Sequence, residues 1–220
     1  MKPMQSLELF KVPVWVKDFP EYLPPVTKVV EKYIKAAKKR DQSIIKKRDK
    51  KFKTDIGDFG MSHHSTDLYQ DAALKTFASF IGQKSFDFLD WMGFDLRKHM
   101  LTFTEMWVQE FAREGGGHHM THIHSNNHVS GFYFLKCSEE TSFPIFYDPR
   151  SGAGMIHLPE KDKKKLTYAN ESAHIKPKPG ALIIFPSYLP HGFEIDSGLK
   201  PFQFIHFNLH AIPLKSISND

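Results

Sequence analysis

Residues 101–111 read LTFTEMWVQEF, and this stretch decides the fold. Thr102 and Thr104 face opposite to Leu101 and Phe103, the two-residue alternation of a half-buried strand. Before Met100 the period is helical instead. From Val26, the apolar positions Val29, Val30, Tyr33, Ile34 and Ala37 keep the i, i+3, i+4, i+7 spacing. A second helix is expected with Thr66 or Asp67 as its cap and Ala73, Phe77, Phe80 and Ile81 as its apolar face, with a further turn or two around Phe88–Met92. After Phe111 the strand candidates are 129–137, 143–147, 174–176, 181–185, 192–195 and 202–212, joined by linkers holding Gly, Pro, Asn and Asp. At the start, Leu7–Val16 (LELFKVPVWV) reads as an entry strand that Pro13 confines to an edge. Helices first, then short strands without βα alternation, predict an α+β chain with an antiparallel sandwich or jelly-roll core.

The chain has 220 residues, 40% of them apolar, enough for one domain with a sizeable core. A lone cysteine, Cys137, excludes a disulfide framework and a cysteine-based zinc site. The longest strictly apolar run, Ala181–Phe185, is far short of the ~20 residues that span a bilayer. Leu7–Val16 is interrupted by Glu8, Lys11 and Pro13 and does not form a secretory leader, so a cytoplasmic protein without membrane contact is expected. Sequence says nothing of oligomeric state.

The net charge of +5 is local. Between Lys35 and Lys53, ten Lys or Arg residues face only Asp41 and Asp49, a local +8 that leaves the rest of the chain at −3. Such a block is either a solvated helix face or an electrostatic footprint for nucleic acid; the first is favoured, because no aromatic residue for base stacking occurs in it before Phe52. The loop Asp55–Ser65, with His63 and His64, reads as a substrate lid or a passive surface loop.

Five of the thirteen histidines (118, 119, 122, 124 and 128) fall within eleven residues. Gly115–Gly117 precede them and argue against a helix, so a zinc helix with two histidines one turn apart is disfavoured. In an extended segment residues two apart share a face, so His122 and His124 would point the same way and could hold one metal. The remaining three suit loop or supporting roles, and a polar histidine-rich loop without metal is the competing reading. His191, which follows the strand 181–185 and the turn Ser187–Pro190, is the third candidate ligand. Three protein ligands with open positions are the arrangement of non-heme Fe(II) and O₂ chemistry. Trp107, Tyr147, Phe185 and Phe207 read as core.

The segments LFKVPVW (9–15), HIHSNNHVSGFYFLK (122–136), FYDPR (146–150), KPGALIIFPSYLPHGFEID (178–196) and PFQFIHFNL (201–209), in that order, resemble the 2-oxoglutarate and Fe(II)-dependent oxygenases. The likeness is to their prolyl-hydroxylase-like branch, and within it to a set common in marine bacteria and their phages. It implies one oxygenase domain over 1–220, with 1–100 a mainly helical support and 101–213 a double-stranded β-helix. It implies Fe(II), 2-oxoglutarate and O₂, with ascorbate as a candidate reductant, and an unidentified substrate, either a protein or peptide side chain or a small molecule. His122 and His191 would be the first and distal ligands. Where the wider superfamily carries a carboxylate, this chain has His124, which is either a third ligand or a neighbour; the three-histidine site is the reading adopted.

For the far carboxylate of the cosubstrate the resemblance points to the strand after the distal histidine, where Lys200, Gln203 and, from FYDPR, Arg150 are candidates. The usual Tyr contact is Phe134 here, with Tyr133 beside it. Ser130, Asn126 and Asn208 are candidates, by residue type, for fixing the imidazoles. Two other classes stay open: a metal-binding β-barrel with little or no turnover, and a nucleic-acid-directed oxygenase using the basic block.

Overall fold

The computed structural model describes residues 4–150, 152, 155–156 and 158–214. Helix α1 (Leu23–Phe52) starts with prolines at its first positions, where their missing N–H costs nothing. It buries Val26, Val30, Ile34 and Ala37 in one stripe and ends at Lys53 in a left-handed cap, with Lys50 and Lys51 suiting the negative end of its dipole. Helix α2 (Lys75–Trp91) buries Phe77, Ala78, Ile81, Phe88 and Leu89, so the turns expected around Phe88 continue the same helix.

The α2 region begins later than its sequence suggests. Neither Thr66 nor Asp67 caps it; Asp67 and the neighbouring Ser65 instead extend a backbone track along β3 (His99–Phe111), accepting the N–H groups of Met106 and Val108. The first helical turn is instead capped by Asp71, which accepts from Ala73 N at 2.9 Å.

Among the described residues, ten strands make two antiparallel sheets. Besides β3, they are β1 (Trp15–Asp18), β2 (Ser62–His64), β4 (His119–His122), β5 (Val129–Lys136), β6 (Pro144–Tyr147), β7 (Ser172–His174), β8 (Ala181–Pro186), β9 (His191–Phe193) and β10 (Gln203–Pro213). The larger sheet runs β1-β8-β5-β10-β3-β2 and the smaller β4-β9-β6-β7. This is the double-stranded β-helix, with the two sheets as its walls.

Period-2 alternation sorts the larger sheet into two cores. Met106, Val108, Tyr133, Ile184, Ile205 and Phe207 face the helices. Phe111, Phe132, Phe134, Phe185 and Phe204 face inward and meet Phe146 and Phe193 from the smaller sheet. Each fully buried Phe contributes about 1.5–3 kcal/mol relative to exposure, so this aromatic interior is a main stabilising element. At Gly131 the chains approach so closely that a Cβ would lie 2.2 Å from Phe207 Cζ and 2.5 Å from Ile183 O.

The entry strand is shorter than its sequence suggests. Only Trp15–Asp18 pair, along β8 at the sheet edge; Leu7, Leu9 and Phe10 are exposed, and Pro13 has no N–H to give a ladder. The segment 55–65 is not a free lid. Its Ser62–His64 pair with β3, and buried His63 sits between Asp41 Oδ2 (2.9 Å from Nδ1) and Asp58 Oδ2 (3.1 Å from Nε2), locking α1 to the sheet.

Candidate metal centre

β4 and β9 are paired with His122 opposite His191, and His191 is in turn opposite Phe146 on β6. His124 lies just past β4, where its N–H donates to Ser187 O at 3.0 Å. These pairings bring His122, His124 and His191 together, with one ligand atom of each inside a 4.8 Å mutual limit. Ring centroids are 4.9 Å apart for His122–His124, 4.6 Å for His122–His191 and 5.1 Å for His124–His191.

What suits this cluster to hold a metal is how the far nitrogens are held. His122 Nδ1 donates to Met120 O at 2.7 Å, and His191 Nδ1 donates to Leu189 O at 2.8 Å. A backbone carbonyl only accepts, so each ring carries its proton on Nδ1 and offers the Nε2 lone pair. His124 is oriented by Asn208, whose amide lies 3.1 Å from Nδ1. For His124 Nε2 to ligate, Nδ1 must hold the proton and Asn208 must turn its Oδ1 toward it. The Nε2 atoms of His124 and His191 are buried without a partner, as a metal ligand awaiting its ion would be.

Electrostatics favour neutral rings. Burial, reinforced by the neighbouring His122, pushes His124 down to about 4. Burial also outweighs the Leu189 hydrogen bond at His191, pushing it down to about 3. Neutral imidazoles are the form that binds a cation. Phe132, Phe146 and Phe185 surround the His191 ring, Phe185 edge-on at 4.6 Å, and keep water off it.

Two of the expected supporting residues meet this cluster. Buried Asn208 donates from Nδ2 to Glu105 Oε2 at 2.7 Å and accepts from Ser130 Oγ at 2.6 Å, while Ser130 Oγ accepts from the Ser187 hydroxyl at 2.8 Å. Asn126 does not orient a ligand; its carbonyl accepts from His210 Nδ1.

The other four expected cosubstrate contacts are not brought to the cluster. Strand parity puts Tyr133 and Gln203 on the helix side: Tyr133 Oη donates to Phe19 O, and Gln203 Nε2 donates to Glu110 Oε2 at 2.8 Å. Lys200 is a surface residue 3.9 Å from Glu140. Arg150 pairs with Asp148 in an outer cleft. The same parity points Phe134, Phe204 and His206 inward.

His206 was not among the expected site residues, although it lies two positions before Asn208 on β10 and shares its face. Its ring sits 4.5 Å from that of His124 and stacks at 4.7 Å on Trp107, its partner on β3. Burial holds His206 well below the usual imidazole range. His206 Nε2, Trp107 Nε1 and Gln109 Oε1 are buried and unpartnered. Gln109 Nε2 instead meets Ser62 Oγ and His119 Nε2. Trp107, expected as plain core, thus lies beside the centre.

Comparison with known proteins now has a geometry to meet. Residues 105–201, from the strand that holds Glu105 and Trp107 through His191, match the model of a family described as putative 2OG-Fe(II) oxygenase. This segment is similar to the core of the 2-oxoglutarate–Fe(II) oxygenases. No curated protein matches the sequence. Among solved structures, the viral collagen prolyl hydroxylase of Paramecium Bursaria Chlorella virus-1 is similar at 10% identity and TM-score 0.53, over 96% of this chain and 98% of that one. A Pseudomonas putida prolyl-4-hydroxylase is similar at 12% identity and TM-score 0.50, over 92% and 95%. At such identity the likeness is one of fold, and it takes in the N-terminal helices.

The enzyme class carries Fe(II), 2-oxoglutarate and O₂. The orphaned Nε2 atoms of the oxygenase core fit the metal. No Lys or Arg is buried among the described residues, so the interior offers the cosubstrate only neutral donors. No helix of the described residues is long and apolar enough to cross a membrane.

Proposed function

We propose that this chain is a hydroxylase whose Fe(II) is held by His122, His124 and His191, without a protein carboxylate. The observation that carries the reading is the convergence of three imidazoles within 4.8 Å, two of them with Nδ1 pinned to backbone carbonyls. When bound, iron and 2-oxoglutarate supply the O₂ activation that inserts a hydroxyl group into a substrate C–H bond.

The residues of the chain do the positioning. Met120 O and Leu189 O set the ring tautomers of His122 and His191, Asn208 orients the His124 ring, and the Phe132, Phe146 and Phe185 rings exclude water behind His191. Trp107 Nε1 and His206 are the unpartnered groups that would meet the far carboxylate of the cosubstrate, in place of a cation. With neutral ligands only, a bound divalent ion keeps its full charge, which favours an anionic chelator.

The substrate would approach over a cleft of about 1080 Å³ that shares Phe146 and Leu189 with the surroundings of His191. Its other walls include Phe10, Asp148, Arg150, Lys164, Tyr168 and the edge strand β7. A wide groove with both charge signs and an open strand edge suits a peptide, and the substrate reading is therefore a peptide side chain. The region 1–100, including α1 and α2, serves this site as the support of the larger sheet.

The test is anaerobic addition of Fe(II) and 2-oxoglutarate, followed by O₂. Wild type is expected to develop a visible charge-transfer band and then to release succinate, and His191→Ala to do neither. Absence of both signals in iron-loaded wild type would overturn the proposal.

A further inference from the structure

The site uses none of the basic block, and the structure gives that block a shape. Only Val26, Val30, Ile34, Ala37 and Asp41 of α1 are buried, so residues 42–52 continue the helix for about 16 Å with no buried side chain. At 3.6 residues per turn, Lys35, Lys39, Lys46 and Lys50 fall within roughly 60° of one another, on the face opposite that buried stripe. All four are exposed. They form a row about 22 Å long at 1.5 Å per residue.

The row is electrostatically uncompensated. The two acids of the segment are engaged by arginines: Asp41 by Arg40 Nε at 2.9 Å, and Asp49 by Arg48. Lys38 is taken by Glu110. Lys35, Lys39, Lys46 and Lys50 have no ion-pair partner among the described residues, and Lys35–Lys39 and Lys46–Lys50 are like-charge pairs at i, i+4, which destabilise a helix. A linear polyanion laid along the row would relieve that repulsion.

We infer that the outer face of α1 is a docking strip for the sugar-phosphate backbone of a nucleic acid. Phosphates along one strand rise about 3.4 Å each, so the row spans about six of them. A membrane surface fits less well. A helix that lies on lipid presents a continuous apolar face beside its cations; here Val26, Val30 and Ile34 are buried against the sheet, and beyond them the exposed apolar side chains Ile44 and Phe52 stand eight residues apart. Arg48 also donates to Gly57 O, and the adjacent Asp58 accepts from Arg113 N and Glu114 N, past the end of β3 remote from Glu105. The Arg48 end of the strip therefore lies past the far end of β3, whereas its Lys35–Lys39 end runs beside Glu110.

Fluorescence anisotropy with a labelled mixed-sequence 20-bp DNA and a 20-nucleotide RNA, between 50 and 200 mM salt, tests this. Wild type is expected to bind at least one of them, with log K falling against log salt at a slope of about −3 or steeper, roughly 100-fold over that range. K35Q/K39Q/K46Q/K50Q, which keeps helix-compatible side chains, should lose at least tenfold affinity at 50 mM salt and flatten the slope by about 3. The charge-matched K75Q/K98Q/K161Q/K178Q should bind as wild type. Circular dichroism establishes that both variants are folded. Absence of binding to either nucleic acid, equal loss in both variants, or binding to vesicles with 30% phosphatidylserine but to neither nucleic acid would overturn the inference.

Discussion

Asn208→Ala probes the least conventional part of the metal centre, the orientation of His124. Asn208 is fully buried, and its amide makes three contacts: Glu105 Oε2 at 2.7 Å, Ser130 Oγ at 2.6 Å and His124 Nδ1 at 3.1 Å. A neutral hydrogen bond contributes about 1 kcal/mol net and one to a charged group about 1.5–3 kcal/mol. Ser130 keeps Ser187 and Glu105 is only partly buried, so part of the loss is recovered. The expected destabilisation is about 2–3 kcal/mol, or roughly 4–12 °C in melting temperature for a chain of this size.

The metal should report more. With Asn208 gone, nothing holds the His124 ring toward the other two imidazoles, and loss of such an outer partner typically costs 10–100-fold in metal affinity. That corresponds to about 1.4–2.8 kcal/mol of binding energy. Competition with a chromophoric chelator under anaerobic conditions measures it, with Ser130→Ala as the milder comparison because it leaves the amide in place. A melting temperature that falls while metal affinity stays within threefold of wild type would refute the reasoning, since Asn208 would then support the barrel without orienting a ligand.

Other consequences are independent of this one. Gly131→Ala should destabilise by about 1–3 kcal/mol, because the new methyl group meets the Ile183 carbonyl as well as the Phe207 ring; an unchanged urea midpoint would contradict the close approach. At Asp41 burial acts upward but hydrogen bonds from Arg40 and His63 prevail, and at Asp58 burial is likewise outweighed by the Glu114 N–H, His63 and the Arg113 N–H, so both carboxyls lie below their usual 3.8. Their stabilisation is therefore full above about pH 4 and is lost as pH falls through the lowered values. Urea melts of Asp41→Asn should show a weaker decline in stability between pH 4 and pH 2 than wild type; identical pH slopes would count against the lock around His63. Trp107→Phe keeps the ring but deletes an unpartnered donor beside His206, and isothermal titration of the metal-loaded protein should show about tenfold weaker 2-oxoglutarate binding with metal affinity unchanged.

Much of this architecture is legible in local periodicity. The alternation at 101–111 and the runs at 129–137 and 181–185 correspond to β3, β5 and β8 within about a residue or two, and the 3.6-residue spacing from Val26 is the buried stripe of α1. The H-I-H spacing and the isolated His191 also mark the residues that the sheets bring together. What was not legible is non-local. His63 looks like a loop residue until α1 supplies Asp41, and Pro13 shortens β1 by an amount that only its pairing with β8 defines. Strand parity on β10 was available in the sequence: Phe204, His206 and Asn208 alternate with Gln203, Ile205 and Phe207. The inward side follows only once Asn208 is anchored to Ser130, and that choice removes Gln203 from the interior and brings His206 in.

The central claim is that three imidazoles, and no protein carboxylate, hold the iron. X-ray absorption at the iron edge of the anaerobically loaded protein counts those rings directly. The account predicts three imidazole scatterers in wild type and two in His124→Ala. Two in both proteins would contradict it and leave His124 a neighbour of the metal.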